Sequence, residues 1–511
     1  MKRLLFIIII CISVLNAFQS CQKDLGNYTY TDFDTLKIGG IDSSYLAYNE
    51  QSFKIEPNLN LSSGGKVDPS NYTYEWYTIN QSSTVLNGDK KKVLGNKLNL
   101  DTVISLAPAN YHLHLRVRNT SNNTLSEFIT KLSVTSVLSN GWLVLSSIDG
   151  KSRLDMLNYN LTTFKYEFYQ DILKNFARTE VEGAPKLVMF LNDRDAIQSK
   201  YVNRIYVGTD KTTISFDNQQ NTWTDFRNLR KEIFRATPEA YHAEVIQPVG
   251  GGKNMCYILD SEGVLMHQNV TQNMLYGSTI NRLNGGVRLN ISKFIAPYYG
   301  NYSAYAVVFD KQNQRFLVHN STNYTLLIPS SSDPELFTPE DMKMDLVYME
   351  RVLTATNQFY ALLKNPTNNR LKLVRFTHDG TVFNPLAVDD IENPYQMESA
   401  EWIAADPTFG YIYYTMGSKI YQYDPFNKKH SLALDAGTRR ISKIKFQKLA
   451  YIIGNSRYNE FAKRLIVCTY DAISPNTSGK MDFYDINLSG APKLAESYSG
   501  FGKIVDVCYR E

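Results

Sequence analysis

Long apolar runs are almost missing from this 511-residue chain. The clearest is Leu4–Val14, about eleven residues, well short of the roughly 20 that a membrane-spanning helix needs. Excess charge of one sign is missing too. Lys and Arg number 54 against 50 Asp and Glu, a formal charge of +4, and the longest basic run is Lys90–Lys92. That excludes the electrostatic footprint of a nucleic-acid groove. Cysteine is scarce, five residues without CxxC spacing, so neither a disulfide framework nor a zinc site is expected. Cys256, Cys468 and Cys508 sit in apolar, strand-like runs and read as small buried hydrophobes, with a Cys468–Cys508 pairing left open. Catalytic signatures are also missing: there is no HExxH, no GxSxG and no P-loop. Gly250-Gly251-Gly252-Lys253 lacks P-loop spacing and reads as a turn. No cofactor, metal centre or catalytic residue is expected.

The N-terminus has its own pattern. Lys2 and Arg3 precede the apolar stretch, which leads to Asn16-Ala17-Phe18-Gln19-Ser20-Cys21. A small residue directly before a Cys, just after such a stretch, resembles the bacterial lipobox. The resemblance implies a signal peptide over 1–20, lipid on Cys21 as the membrane anchor, and a polar tether over 21–37. Removal of Lys2 and Arg3 takes the formal +4 to +2.

What the chain has in abundance is aromatic: 35 Tyr and 25 Phe. They fall in short alternating runs with Val, Ile, Leu and Thr, broken by Asn, Gly, Asp and Ser, which predicts many short strands and an all-β fold. Residues 38–136 carry runs at sandwich spacing: Ser52–Leu61, Tyr72–Asn80, Lys97–Leu100, Tyr111–Asn119 and Phe128–Thr135. Tyr74 and Trp76 share one strand face, as do Tyr111, Leu113, Leu115 and Val117. His112 and His114 lie on the opposite face. Nothing nearby completes a metal shell, so they read as solvated surface residues. The Tyr74-Glu75-Trp76 strand and the Ala109-to-Asn119 strand together resemble the PKD-type immunoglobulin-like domain.

Residues 141–511 read as a repeat of strand, tight turn and strand, clearest over Tyr411–Asp424. First strands begin near Trp142, Arg204, Met255, Arg315, Gln358, Tyr411 and Leu465. A further strand precedes each pair except that at Trp142: Lys186–Leu191, Ala243–Gln247, Ala304–Asp310, Met344–Arg351, Ser399–Ala405 and Ile441–Phe446. The spare last strand, Lys503–Tyr509, supplies the missing partner. This predicts a β-propeller, seven-bladed and closed by the C-terminal strand, with six or eight blades as alternatives.

The order of lipobox, PKD-like domain and propeller resembles the PKD-like family of Bacteroidetes surface lipoproteins. The resemblance implies a non-catalytic outer-membrane protein at the cell surface, beside a SusC/SusD-like TonB-dependent uptake system, that binds a polymeric glycan or peptide. A periplasmic face, a glycan-cleaving propeller enzyme and a structural adhesin or assembly subunit remain alternatives. For the enzyme, Asp310, Asp345, Glu350, Glu401, Asp406 and Asp506 are the carboxylates on or beside expected inner strands. For binding, three long connections are rich in aromatics. Leu161–Pro185 carries Phe164, Tyr166, Phe168 and Tyr169; Gln219–His242 carries Trp223, Phe226 and Phe234; Thr271–Ser303 carries Tyr276, Tyr298, Tyr299 and Tyr302. Trp223, Phe226, Tyr276, Tyr298, Tyr299 and Tyr302 are the candidate ligand-binding residues, expected on one face around a central channel.

Overall fold

The computed structural model describes residues 34–510, with breaks of which the longest are 82–90, 196–199, 218–222, 250–255, 269–274, 353–357 and 448–459. Cys21, Tyr302 and the Gly250–Lys253 turn lie outside the described residues. The chain is all-β and divides into two compact units.

The first unit comprises residues up to 104 together with 110–133. Its strands are β1 (Leu36–Gly39), β2 (Ser44–Tyr48), β3 (Ser52–Ile55), β4 (Asn58–Leu61), β5 (Tyr72–Asn80), β6 (Lys92–Gly95), β7 (Leu100–Val103), β8 (Ala109–Asn119) and β9 (Leu125–Thr135). Five of them form one sheet in the order β2-β9-β8-β5-β6, and β1-β4 and β3-β7 pair separately. β1 begins at Leu36, inside the segment read as tether. The Ser52–Leu61 run divides at Glu56-Pro57, because its halves pair with β7 and β1 rather than with one partner. Trp76 is fully buried, its indole N–H donating to the carbonyls of Lys97 and Leu98 at 3.1 and 3.0 Å. The reading of His114 is corrected. It is buried, stacked on Tyr77 with ring centroids 4.5 Å apart, and its Nδ1 lies 3.4 Å from the Glu127 carboxylate.

In the second unit the described residues form seven sheets. The first holds β10 (Gly141–Ile148), β11 (Lys151–Asn160), β12 (Lys165–Tyr169) and the last strand of the chain, β36 (Lys503–Arg510). The second runs β13 (Pro185–Asp195), β14 (Lys200–Thr209), β15 (Thr213–Asp217), β16 (Phe226–Asn228). The third is β17 (Ala243–Pro248), β18 (Cys256–Asp260), β19 (Leu265–His267), and the fourth is β20 (Ala296–Gly300), β21 (Ser303–Asp310), β22 (Arg315–Asn320). The fifth has β23 (Ser330–Ser331) parallel to β27 (Val382–Ile391), then β26 (Leu371–His378), β25 (Gln358–Lys364) and β24 (Asp345–Val352). The sixth is β28 (Ile403–Ala405), β29 (Ile412–Met416), β30 (Lys419–Asp424), β31 (Lys429–Asp435). The seventh is β32 (Arg440–Phe446), β33 (Leu465–Tyr470), β34 (Gly479–Asp485), β35 (Lys493–Phe501).

Successive sheets share apolar clusters. Leu143, Met156 and Cys508 of the first meet Val188, Ile205 and Phe216 of the second. Leu191 and Tyr206 meet Ile258 and Met266 of the third, whose Tyr257 and Leu259 meet Val308 and Leu317 of the fourth. Phe309 and Phe316 meet Phe359 and Phe376 of the fifth, whose Tyr360 and Leu362 meet Ile412 and Tyr414 of the sixth. Tyr413 and Ile420 meet Ile444 and Val467 of the seventh, whose Ile466 and Phe483 meet Trp142 and Val144 of the first. The arrangement is β-propeller-like. It also explains the local sequence. Alternate residues of a middle strand face opposite clusters, so β29 must be apolar on both faces and reads as an unbroken run.

β36 pairs antiparallel with β10 from Gly141↔Arg510 to Ser147↔Lys503. It also packs beside β13 and β32, and polar side chains tie it to both. Asp506 accepts from the Val188 N–H at 3.1 Å and lies 3.3 and 3.4 Å from the Lys443 and Lys445 ammonium groups. Lys445 also donates to the Val507 carbonyl at 2.6 Å, and the Tyr509 N–H donates to Gln447 at 3.3 Å. Burial works to raise the Asp506 pKa, but the two lysines outweigh it and hold the carboxyl below its ordinary value.

One strand assignment is corrected. In the fourth sheet the edge strand beside β24 is β20, and β21 (read as the inner strand) is second. Both segments are comparably apolar, so pattern alone does not rank them. Cys256, Cys468 and Cys508 are buried free thiols.

Candidate functional site

The described cavity lies against the outer edges of the third and fourth sheets and is built from three distant segments. Tyr276 sets the first wall. It is fully buried, its hydroxyl 3.4 Å from that of Tyr206, which donates to Glu232 at 2.7 Å. Its backbone exchanges hydrogen bonds with the 232–234 segment: Tyr276 N–H to the Glu232 carbonyl at 2.9 Å, and Phe234 N–H to the Tyr276 carbonyl at 3.1 Å. Past this anchor the chain runs along β19, with Gly277 N–H donating to the His267 carbonyl at 3.3 Å and Ile280 N–H to that of Leu265 at 2.9 Å.

The other wall comes from the turn after β22. His319 is buried between Tyr257, whose hydroxyl lies 2.9 Å from its Nδ1, and the Asn323 carbonyl, 3.0 Å from its Nε2. A carbonyl can only accept, so Nε2 carries the proton and Nδ1 accepts from Tyr257. Burial, with His267 beside it, pushes the His319 pKa down to about 3, so the ring is neutral at physiological pH. His319 thereby holds Asn323, and Tyr324 follows it. The cavity measures about 260 Å³ and is lined by Phe234, His267, Leu275, Gly277, Ser278, Ile280 and Tyr324. Phe234 and Tyr324 stand at its mouth with 80% and 57% of their surface exposed.

Five of the six aromatic candidates lie among the described residues, and they are placed differently from one another. Trp223 is 1% exposed, packed on Phe216 at 5.4 Å with the Arg510 guanidinium 5.2 Å from its ring. Tyr276 is 0% exposed. Neither offers a free face, and the expectation that these two rings form a platform is corrected: sheets distant in sequence close over them. Phe226 is half-buried on β16, the outer strand of the second sheet, 5.2 Å from Phe216. Tyr298 and Tyr299 lie in β20, paired with Tyr305 and Ala304. Tyr298 is half-buried, with the Arg351 guanidinium 4.7 Å from its ring. Inner strand, outer strand and core are separate places, so these residues do not converge on one mouth. The cavity draws on two of the three aromatic connections, but through Phe234 rather than Trp223 and through the backbone after Tyr276. Tyr324, in a short turn, had no sequence signal beyond being an aromatic beside Asn.

Five of the six carboxylates considered for catalysis are held by local hydrogen bonds or ion pairs. Asp310 accepts from the Gln312 and Asn313 N–H groups and from Arg315, while Asp406 accepts from the Thr408 and Phe409 N–H groups. Asp260 and Asp424 close turns in the same way. An Asp at the end of a strand that caps the next turn is a recurring part of this repeat, and its local hydrogen bonding explains the residue. Asp345 accepts from Gln314 at 2.8 Å, Glu350 accepts from Tyr348 and the Ala405 N–H, and Glu401 is exposed. Among the described residues no group of three or more His, Cys, Asp or Glu could hold a metal ion. No described helix is long and apolar enough to cross a membrane.

Residues 21–185 match the PKD-like family. No curated protein matches the chain. Solved structures similar to it include a quinonprotein alcohol dehydrogenase-like protein from Bacteroides thetaiotaomicron, at 13% identity and a TM-score of 0.46, covering 94% of this chain and 100% of that one. The extracellular domain of a one-component system from B. thetaiotaomicron is similar at 10% identity and a TM-score of 0.38, covering 94% and 71%. A β-propeller domain from Myceliophteria thermophila is similar at 8% identity and a TM-score of 0.39, covering 65% and 94%.

Proposed function

We propose that the protein is a non-catalytic, lipid-anchored lipoprotein of the outer-membrane surface. In this reading a closed seven-bladed propeller holds a polymer, glycan or peptide, for a SusC/SusD-like TonB-dependent uptake complex. The observation that carries the binding role is the cavity of about 260 Å³ with Phe234 and Tyr324 exposed at its mouth. Exposed rings placed by buried anchors lose little entropy on contact with a ligand, since each has two side-chain torsions. Seven sheets joined in succession by shared cores, with the last strand in the first sheet, support the closed ring. The Ser20-Cys21 step after the apolar stretch and the PKD-like match over 21–185 support the anchor and the surface setting. Carboxylates engaged in capping turns and pairing cations support a role without turnover.

The test is calorimetry of the full-length protein against a panel of polysaccharides and peptides, with product analysis of each mixture. Saturable binding with intact ligand is expected; cleavage of any panel member would replace this reading with an enzymatic one. Cys21→Ala should move the protein from the membrane fraction to the soluble fraction, and persistence in the outer membrane after a high-salt wash would remove the lipid anchor from the account. Co-purification of a TonB-dependent transporter with the wild-type protein is expected under mild detergent.

A further inference from the structure

The third and fourth sheets are, among the described residues, the two in the second unit with three regular strands, and the cavity lies against the outer edge of both. β19 is flanked there by irregular chain from Tyr276 to Ile280 instead of a fourth strand. The cavity lies beside this irregular chain, with Gly277, Ser278 and Ile280 in its lining. Its size is informative. At about 260 Å³ it falls below the roughly 300–1,000 Å³ of sites that enclose drug-sized molecules, so it takes one ring-sized group. Its chemistry is informative too. Among the described residues no Asp, Glu, Lys or Arg lines it, so a charged group would meet no counter-charge from them. Phe234, Leu275 and Ile280 make it mainly apolar, and His267, Ser278 and the Tyr324 hydroxyl supply its polar side-chain groups. A sugar ring carries hydroxyls around its whole rim and leaves several unmatched in such a lining. An aromatic ring with one polar substituent leaves none. The floor is fixed in advance: His267 packs 4.5 Å from the neutral His319, which Tyr257 and Asn323 hold from both sides. Pre-ordered walls reduce what a ligand loses on binding.

We infer that the cavity receives a tyrosine or tryptophan side chain from a polypeptide segment, the phenol or indole ring sliding between Phe234 and Tyr324 with its polar atom toward His267 and Ser278. This rests on the polymer-binding reading and narrows it to a peptide. Two variants probe the site without touching the core. Phe234→Ala removes an exposed wall. Gly277→Leu fills the space, because a Cβ at Gly277 meets nothing within 4 Å and its φ is not in the left-handed region.

Calorimetry on the detergent-solubilised full chain would use Gly-Gly-Tyr-Gly-Gly, Gly-Gly-Leu-Gly-Gly, p-cresol and cellobiose. The tyrosine peptide should bind in preference to the other three. Each variant should weaken it about tenfold, the size expected for losing an aromatic contact, with an unchanged melting temperature. Preference for cellobiose, or p-cresol binding as tightly as the peptide, would overturn the inference in favour of a glycan or a free small aromatic. Undiminished peptide binding by both variants would overturn it as well. In that case a polymer that still binds the protein leaves the broader reading standing, whereas failure of every polymer removes that reading itself.

Discussion

Removing residues 503–511 should abolish folding of the second unit, and the structure gives the magnitude. β36 buries Ile504, Val507, Cys508 and Tyr509. Full burial of an aliphatic or aromatic side chain stabilises by about 1.5–3 kcal/mol, so Ile504, Val507 and Tyr509 contribute roughly 4.5–9 kcal/mol, with the smaller Cys508 adding less. That is an upper estimate, because unfolded chains already bury part of this surface. It still rivals the whole net stability of a typical domain, about 5–15 kcal/mol. Two further losses act in the same direction. Lys443 and Lys445 would lose the Asp506 carboxylate that sits between them and β13, and β10 would present an unpaired edge open to other chains. The assay is urea denaturation followed by tryptophan fluorescence, with soluble yield as a second reading. Tyr509→Ala serves as a milder probe, expected to cost about 3–5 kcal/mol by analogy with other large aromatic truncations. Ile473→Ala, at a side chain 93% exposed, is the control and should change little. A truncated chain that remains soluble with an unshifted midpoint would refute the reasoning, because it would mean that β36 lies on the first sheet without holding the unit together.

Trp223→Ala should cost about 3–5 kcal/mol in denaturant titrations, since it empties a site packed by Phe216 and Arg510; an unshifted midpoint would return this ring to the candidate binding surface. Acid should destabilise the protein through His319. Its folded pKa of about 3 lies below the ordinary 6.5, so its contribution is fully present above about 6.5 and is lost as pH falls toward 3, at up to about 1.4 kcal/mol per unit. His319→Gln should flatten that part of the melting-temperature profile, and an unchanged slope would assign it to other groups. Gly141→Ala should destabilise by more than about 1 kcal/mol, because a Cβ there would lie 2.0 Å from the Leu157 carbonyl oxygen at a φ of +153°. A thermal melt checks it, and a neutral result would mean that β10 and β11 can part locally.

Local pattern determined a good deal. Alternation put Tyr111, Leu113, Leu115 and Val117 on one buried face of β8, and the strand, tight turn and strand read over Tyr411–Asp424 are found as β29 and β30. Strand-end Asp residues marked turns because a side chain that caps its own neighbours carries its reason within a few positions. The pairing of the last strand with the Trp142 strand was legible from a missing partner and a spare one. Exposure was not legible. Trp223 and Phe234 lie in the same aromatic connection; one is covered by a guanidinium from Arg510 at the far end of the chain, and the other is left at the mouth of a cavity. His114 looked solvated until Tyr77 and Glu127 came from other strands to meet it. Whether a ring is core or contact depends on which distant sheet packs over it, and the cavity exists because residues near 234, 267, 275–280 and 324 are brought to one rim. Periodicity reports the face on which a side chain stands; only the tertiary structure decides what stands opposite.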